Sequence, residues 1–259
     1  MIESDWHNLC WIAFSTVEIA IEMTQVLVAI KPFSEAKTRL AGVLSPTERR
    51  DLAEAMAHDT VALLVAHPEV SEVTVVSADE RAKQLALDCG AGFSDERTLT
   101  VQGLNAVLEA ILDTLAVESD LPLLIVHSDL PLLCAEDISV AIAHQRQSGG
   151  LVIGCDSRGT GTNALAFNAA SRVPLQFGFD SCARHRQQAA AAGVAERVLL
   201  RPGMGLDIDG PEDYQTMLEL FSRGDLGHCV ERLLSEQSYE YYGSAGNWQS
   251  HELCSGSVY

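Results

Sequence analysis

Positive charge is scarce in this chain. Lysine and arginine together number 17 against 36 aspartates and glutamates, leaving a net charge of −19. A nucleic-acid surface needs a basic patch, so nucleic acid is excluded as a partner. Cysteine motifs are lacking too. Cys10, Cys89, Cys134, Cys155, Cys182, Cys229 and Cys254 are scattered, odd in number and form no C-x-x-C pair. Such usage predicts a reduced cytoplasmic protein rather than a disulfide framework or a zinc site. A targeting or membrane segment is not evident. Glu3 and Asp5 stand where a secretory signal would be positive, and Glu18 and Glu22 interrupt the apolar stretch that follows. That stretch is too short and too acidic to span a bilayer, so no membrane partner is expected. The phosphate loop G-x-x-x-x-G-K-[ST], the dinucleotide fingerprint G-x-G-x-x-G and the nucleophile elbow are all absent. With the eight histidines dispersed, serine-hydrolase and zinc chemistry have little support.

What remains is an ordinary globular composition, 47% apolar over 259 residues, enough for one large α/β domain or two small ones. Strand and helix signals alternate. Gln25–Ile30 reads as a buried first strand, Val73–Ser77 as a second, Leu123–His127 as a third; Leu151–Cys155, Asn163–Phe167 and Arg197–Leu200 follow. Between them, helices are expected at Pro46–Ala66, Glu80–Cys89, Gln102–Leu115, Ala135–Gln147, Ser181–Ala192 and Pro211–Phe221. The alternation predicts a single α/β domain of Rossmann-like build, its central sheet mostly parallel with helices on both faces. The domain is expected over residues 23–223. Residues 1–22 read as an over-extended start or a helical appendage, with Met23 the expected true beginning, and 224–259 as a C-terminal helix and polar tail.

In such sheets ligands bind beyond the carboxyl ends of the strands. Leu206-Asp207-Ile208-Asp209 alternates apolar and acidic as a strand does, which would set Asp207 and Asp209 on one face before Gly210 and Pro211 start a helix. Two adjacent carboxylates repel unless a cation sits between them, and Mg²⁺ is the usual one; the plainer alternative is a solvated acidic turn. Asp129 follows the Leu123–His127 strand and lies too far upstream to be the obvious cap of the helix at 135, so a metal-ligand role opposite Asp207 and Asp209 is the sharper expectation. Lys31, Lys37 and Arg39 follow the first strand. Three cations in a short loop of an acidic chain suit a polyphosphate, unless the loop is merely exposed and basic. Gly103-Leu104-Asn105 opens a helix whose free N–H groups could hold a ribose or base edge, or simply be capped. Gly159–Asn163 leads into a strand and Phe177-Gly178-Phe179-Asp180-Ser181 into a helix; the two turns would suit an anion or be ordinary turns.

Taken in order, Lys31-Pro32 with Ala36–Leu40, Leu44-Ser45-Pro46, Gly103–Asn105, Asp129–Leu133, Gly159–Asn163, Phe177-Gly178 with Ser181 and His185, and Leu206–Asp213 resemble the guanylyltransferases of deazaflavin coenzyme F-420 biosynthesis. That family is similar in turn to the molybdopterin and nucleotide-sugar nucleotidyltransferases, whose fuller Gly-rich first loop this chain lacks. The resemblance implies transfer of GMP from GTP to a phosphorylated three-carbon acid (2-phospho-L-lactate, phosphoenolpyruvate or 3-phospho-D-glycerate), with release of pyrophosphate. It implies Mg²⁺ on Asp129, Asp207 and Asp209, the triphosphate on Lys31, Lys37 and Arg39, GTP also at Gly103, Leu104 and Asn105, and the acid against Thr162, Asn163, Gly178 and Ser181. The acid pocket is expected to face away from Gly103–Asn105. Two other classes stay open: a nucleotidyltransferase of the same fold acting on a sugar phosphate or molybdopterin, and a non-catalytic nucleotide-binding protein. A homodimer is left open.

Overall fold

The computed structural model describes residues 23–223 and 230–235, the side chains of 116–118 excepted. The expectations for residues 1–22 and for the polar tail past 235 lie outside the described residues. Strands and helices alternate as β1 (Thr24–Ala29), α1 (Pro46–Val65), β2 (Val70–Ser77), α2 (Glu80–Cys89), β3 (Gly92–Asp95), α3 (Leu104–Glu118), β4 (Leu123–His127), α4 (Ala135–Ser148), β5 (Leu151–Cys155), β6 (Thr162–Phe167), α5 (Ser181–Ala192), β7 (Glu196–Leu199), the short turn α6 (Pro202–Gly205) and α7 (Pro211–Phe221).

The strands form one seven-stranded sheet in the order β3-β2-β1-β4-β6-β5-β7. All pairings are parallel except those of β6, which runs antiparallel to both β4 and β5. Chain connections leave β1 toward β2 on one side, and β4 lies on the other. The crevice between the carboxyl ends of β1 and β4 is therefore a topological switch point, where open α/β sheets bind ligands. Reversal of β6 brings its amino end, Thr162 and Asn163, to that same edge, with Ala164 beside Val126 of β4.

Two apolar layers cover the sheet, as the alternation along each strand dictates. Val26 and Val28 of β1 pack with Ala53, Ala57, Val61 and Leu64 of α1 and with residues of α2 and α4. Leu27 faces the other way, toward Val107, Leu108, Ile111 and Leu112 of α3 and Ala189 of α5. The start of α1 is fixed by a reciprocal cap: Ser45 Oγ accepts from the Glu48 N–H at 3.3 Å and Glu48 Oε2 from the Ser45 N–H at 2.7 Å, with Pro46 at the first helical position. A third, smaller cluster joins Leu40 and Leu44, from the segment after β1, to Leu52 and Met56 of α1, Ile208, and Met217 of α7. Val230 and Leu234, in the helical stretch 230–235, complete it. No helix among the described residues is long and apolar enough to cross a membrane.

Three features depart from the sequence reading. Leu206–Asp209 is not a strand of the sheet; it is an extended segment outside any ladder, tied to the end of β4 by the Ile208 N–H bonding the Asp129 carbonyl at 3.3 Å. Its alternation reflects burial of Ile208 alone, since Asp207 is half-buried and Asp209 exposed. β3 was invisible as a strand because Gly92–Asp95 is short, polar and only partly buried. Finally, Cys155 and Cys182 form a disulfide, against the expectation of reduced, unpaired cysteines. They are 27 residues apart in sequence, but the end of β5 and the first turn of α5 adjoin, with Cα atoms 6.4 Å apart.

Candidate active site

Asp129 leaves β4 at the switch point, and the segment after β1 folds over it. That segment makes two short 3-10 turns, Phe33–Glu35 and Thr38–Leu40, anchored by the buried Phe33 and Leu40. The Phe33 N–H also donates to Asp79 Oδ2 at 2.7 Å. Between the turns Lys37 takes the left-handed conformation, φ 54°, which side chains larger than glycine adopt only where the surroundings hold them. Here it turns the Lys37 ammonium inward: Nζ lies 2.6 Å from Asp129 Oδ2 and 3.8 Å from Asp209 Oδ1, and the side chain is only 8% exposed. Arg39 Nη1 lies 3.4 Å from Asp209 Oδ2 on a side chain 76% exposed. Lys31 is solvent-exposed just past β1. The basic loop thus sits at the edge carrying the carboxylates, with Lys37 wedged between two of them.

Asp207 completes the group. Asn163 Nδ2 donates to Asp207 Oδ1 at 3.3 Å and to the Met204 carbonyl at 2.9 Å. Asp213 Oδ2 accepts from the N–H groups of Asp209 and Gly210 at 3.1 and 2.7 Å, which pins the turn into α7. Burial pushes the Asp207 carboxyl upward, and the Asp129 charge adds to it against the Asn163 hydrogen bond. Asp129 goes the other way. Burial raises it, but the Lys37 ammonium and His127 outweigh that and hold it below the usual carboxylate range. Asp129 Oδ1 is buried without a hydrogen-bond partner. Asp129, Asp207 and Asp209 therefore converge on one edge, as the sequence predicts. Among the described residues they are not drawn together as tightly as a bound metal ion would require, because Lys37 occupies the gap.

Of Thr162, Asn163, Gly178 and Ser181, expected to face a common cleft, only Gly178 is exposed; the other three are buried beside the carboxylates and α5. Thr162 and Asn163 open β6, and Ser181, 2% exposed, opens α5. The Cys182 N–H donates to the Thr160 carbonyl at 3.0 Å, joining the β5–β6 turn to α5. Gly178 has φ 119°, a conformation that favours glycine. Asp180 is left-handed at φ 53° and does not cap α5 with its side chain. Thr162 Oγ1 lies 3.1 Å from His185 Nδ1, and His185 Nε2 accepts from the Gln176 N–H at 2.9 Å. Full burial, with Arg184 nearby, lowers His185 from 6.5 to about 4, so it is neutral.

One sequence expectation is corrected here. Gly103 has φ 86° and opens α3 without a side-chain cap, as a nucleotide-facing helix start would. Leu104 is its first helical residue and is partly buried. The Asn105 side chain, however, is bound at both ends to one backbone residue. Asn105 Nδ2 donates to the Phe177 carbonyl at 3.0 Å, and Oδ1 accepts from the Phe177 N–H at 2.8 Å. Gly178 thus adjoins Gly103–Asn105 rather than facing away from it. Sequence reasoning missed Asn105's partner, His185's role and Asp213's cap; each depends on pairings that a local reading cannot see, although an aspartate in the first turn of α7 was a signal for the cap.

A switch-point crevice, a cationic loop folded over carboxylates and the mixed sheet around them define the nucleotidyltransferase class. A putative nucleotide-diphospho-sugar transferase from Desulfovibrio desulfuricans G20 shares the fold, with a TM-score of 0.67 at 16% identity over 85% of this chain and 97% of that one. A family model described as "Guanylyl transferase CofC like" matches residues 24–236. The chain is 35% identical over 226 residues to 3-phospho-D-glycerate guanylyltransferase of Phenylobacterium zucineum, covering 83% of this chain and 96% of the relative. Phosphoenolpyruvate guanylyltransferase of Mycobacterium sp. strain KMS is 39% identical over 200 residues, 73% of this chain and 83% of the relative. The chain belongs to the CofC-like guanylyltransferase family.

Proposed function

We propose that this protein transfers GMP from GTP to the phosphate of a phosphorylated three-carbon acid, releasing pyrophosphate, as a step of coenzyme F-420 biosynthesis. The acid is 2-phospho-L-lactate, phosphoenolpyruvate or 3-phospho-D-glycerate. The observation that carries the reading is the Lys37 ammonium seated between Asp129 and Asp209 at the β1–β4 crevice, with Arg39 beside it. It brings the two kinds of group that polyphosphate chemistry needs, cations and metal-binding carboxylates, to one point.

The acceptor phosphate is already a competent nucleophile, so no general base is needed. Catalysis reduces to in-line positioning and charge neutralisation. Lys37, Arg39 and Lys31 would hold the triphosphate and the leaving pyrophosphate. The first-turn N–H groups of α3, after Gly103, would face the nucleoside side of GTP. Thr162 and Ser181 hydroxyls, with the backbone at Gly178, would read the phosphate and carboxylate of the acid, and Asn163 orients Asp207. His185 is not a base, because both ring nitrogens are engaged inside the protein.

The donor chemistry suits Mg²⁺, since Asp129, Asp207 and Asp209 offer only hard oxygens and the buried Asp129 Oδ1 lacks a partner, but the ion would have to displace the Lys37 ammonium and draw the carboxylates closer. Bound there, Mg²⁺ would neutralise charge on the transferring phosphate. A GTP-consuming reaction belongs where GTP is made, so the cytoplasm is the compartment we assign.

Mass spectrometry of products from GTP and Mg²⁺ with each of the three acids tests the reading. A guanylylated acid with equimolar pyrophosphate is expected from at least one of them, and weak or no product with ATP or CTP. Product only with a sugar phosphate or molybdopterin would overturn it.

A further inference from the structure

Gln176 and Phe177 belong to no helix or strand, yet their backbone is held as firmly as in one. The Gln176 N–H is taken by His185 of α5, and the Phe177 N–H and carbonyl by the single side chain of Asn105 in α3. An Nε2 that accepts a hydrogen bond carries no proton, so the neutral His185 ring has its proton on Nδ1 and donates it to Thr162 Oγ1. The Thr162 hydroxyl, only 1% exposed, is thereby fixed as an acceptor from His185, and its own proton is left for a second partner. The Phe177 ring is packed between the two imidazoles, 5.2 Å from His127 and 5.1 Å from His185 between centroids. Straight after this clamped pair come Gly178 at φ 119°, Phe179 at 94% exposed, left-handed Asp180 and the buried Ser181. Rigid backbone thus gives way at one residue to the turn that would face the acid.

We propose that Asn105 and His185 are positioning residues of the acid pocket, jointly clamping Gln176–Phe177 so that Gly178, Ser181 and the Thr162 hydroxyl are presented to the phosphorylated acid. The proposal rests on the reading that this end of the site takes the acid. It moves Asn105 from the nucleotide's contacts to the acid's support and makes α3 a wall shared by both pockets. Asn105 is polar and partly buried, and its amide commits one donor and one acceptor to Phe177, 72 residues away. Its orientation is therefore fixed by the segment it holds.

The test is steady-state kinetics and calorimetric titration on Asn105→Ala, Asn105→Asp and His185→Gln, with GTP and with whichever acid the wild type uses. Asn105→Ala should raise both the KM and the Kd for the acid about tenfold or more and move those for GTP less than about twofold. Asn105→Asp keeps the acceptor for the Phe177 N–H and loses the donor to its carbonyl, so it should recover part of the loss. His185→Gln should shift the acid in the same direction as Asn105→Ala. A rise confined to GTP would overturn the proposal by making Asn105 a nucleotide contact. Equal rises for both substrates would overturn it by making the clamp a general staple of the fold. If the wild type neither binds nor guanylylates any of the three acids, the functional reading falls and takes the proposal with it; if the wild type works and only the variants disobey, the proposal alone falls.

Discussion

Replacing Lys37 with methionine keeps the length and bulk of the side chain and removes the ammonium. Both residues carry a β-carbon, so the cost of the left-handed backbone at φ 54° largely cancels and the charge is isolated. In the native site Nζ lies 2.6 Å from Asp129 Oδ2, on side chains 8% and 24% exposed. At an effective dielectric of about 20, unit charges at that separation attract by roughly 6 kcal/mol, and desolvating them takes back several. Removing one partner of a buried pair costs more than the pair's net worth, because the other charge is left behind. Asp129 would be left beside Asp207 and Asp209 with only the exposed Arg39, on Asp209, as a cation near them. We expect Lys37→Met to lower the unfolding free energy by about 3 kcal/mol in Mg²⁺-free buffer, read as the midpoint shift in urea at constant slope. Adding Mg²⁺ should then stabilise the variant more than the wild type, since the ion no longer competes with the ammonium. At tenfold excess over its Kd the gain is about 1.4 kcal/mol. A variant within 1 kcal/mol of wild type, or an equal response of both to Mg²⁺, would refute the picture of Lys37 as the internal counter-ion of this site.

Asp209→Asn should abolish Mg²⁺-dependent pyrophosphate release while the far-ultraviolet spectrum and urea midpoint stay near wild type, because the Asp209 side chain is 53% exposed. Ser181→Ala should raise the KM for the acid by one to two decades, the loss of a charge-assisted hydrogen bond worth roughly 1.5–3 kcal/mol, with the KM for GTP little changed. His185 is lowered from 6.5 to about 4 in the folded protein, so the unfolded chain binds the extra proton between those values and stability rises with pH across that window. The contribution is complete above pH 6.5 and is lost as pH falls toward 4, at most about 3 kcal/mol, so urea midpoints should fall more steeply over that range in wild type than in His185→Gln. Parallel pH profiles in the two proteins would count against a buried neutral imidazole.

Much of the architecture was legible because burial writes itself into local sequence. β4 is a run of buried residues, and the start of α1 announces itself as Ser45-Pro46 with Glu48. Asp129, Lys37 and Arg39 could be found because each follows a buried strand, which fixes the sheet edge it must reach. The direction of β6 could not be read, since an apolar run such as Thr162–Phe167 looks the same whichever way it points. Nor could Leu206–Asp209 be told from a strand, because one buried Ile208 between two aspartates gives the same period of two. The hold of Asn105 on Phe177 was hidden for a related reason. The start of α3 was visible, but its partner Phe177 lies 72 residues away. The Cys155–Cys182 pair was hidden in the same manner.

Leu40, from the basic loop, and Ile208, from between the two later aspartates, share the small apolar cluster built on α1 and α7. Asp129 stands on the sheet instead, at the end of β4. The candidate site therefore straddles a seam between two apolar clusters that share α1 as their common wall, and the Ile208–Asp129 backbone bond is a stitch across it. Distances within the basic loop are set by its own turns, whereas the gap between Lys37 or Asp209 and Asp129 is set by how the clusters lean together. Met217, fully buried in the small cluster, is part of that lean. Interior residues of the smaller cluster thus act as a gauge: changing their volume would widen or narrow the gap between Lys37 or Asp209 and Asp129 without altering those groups themselves.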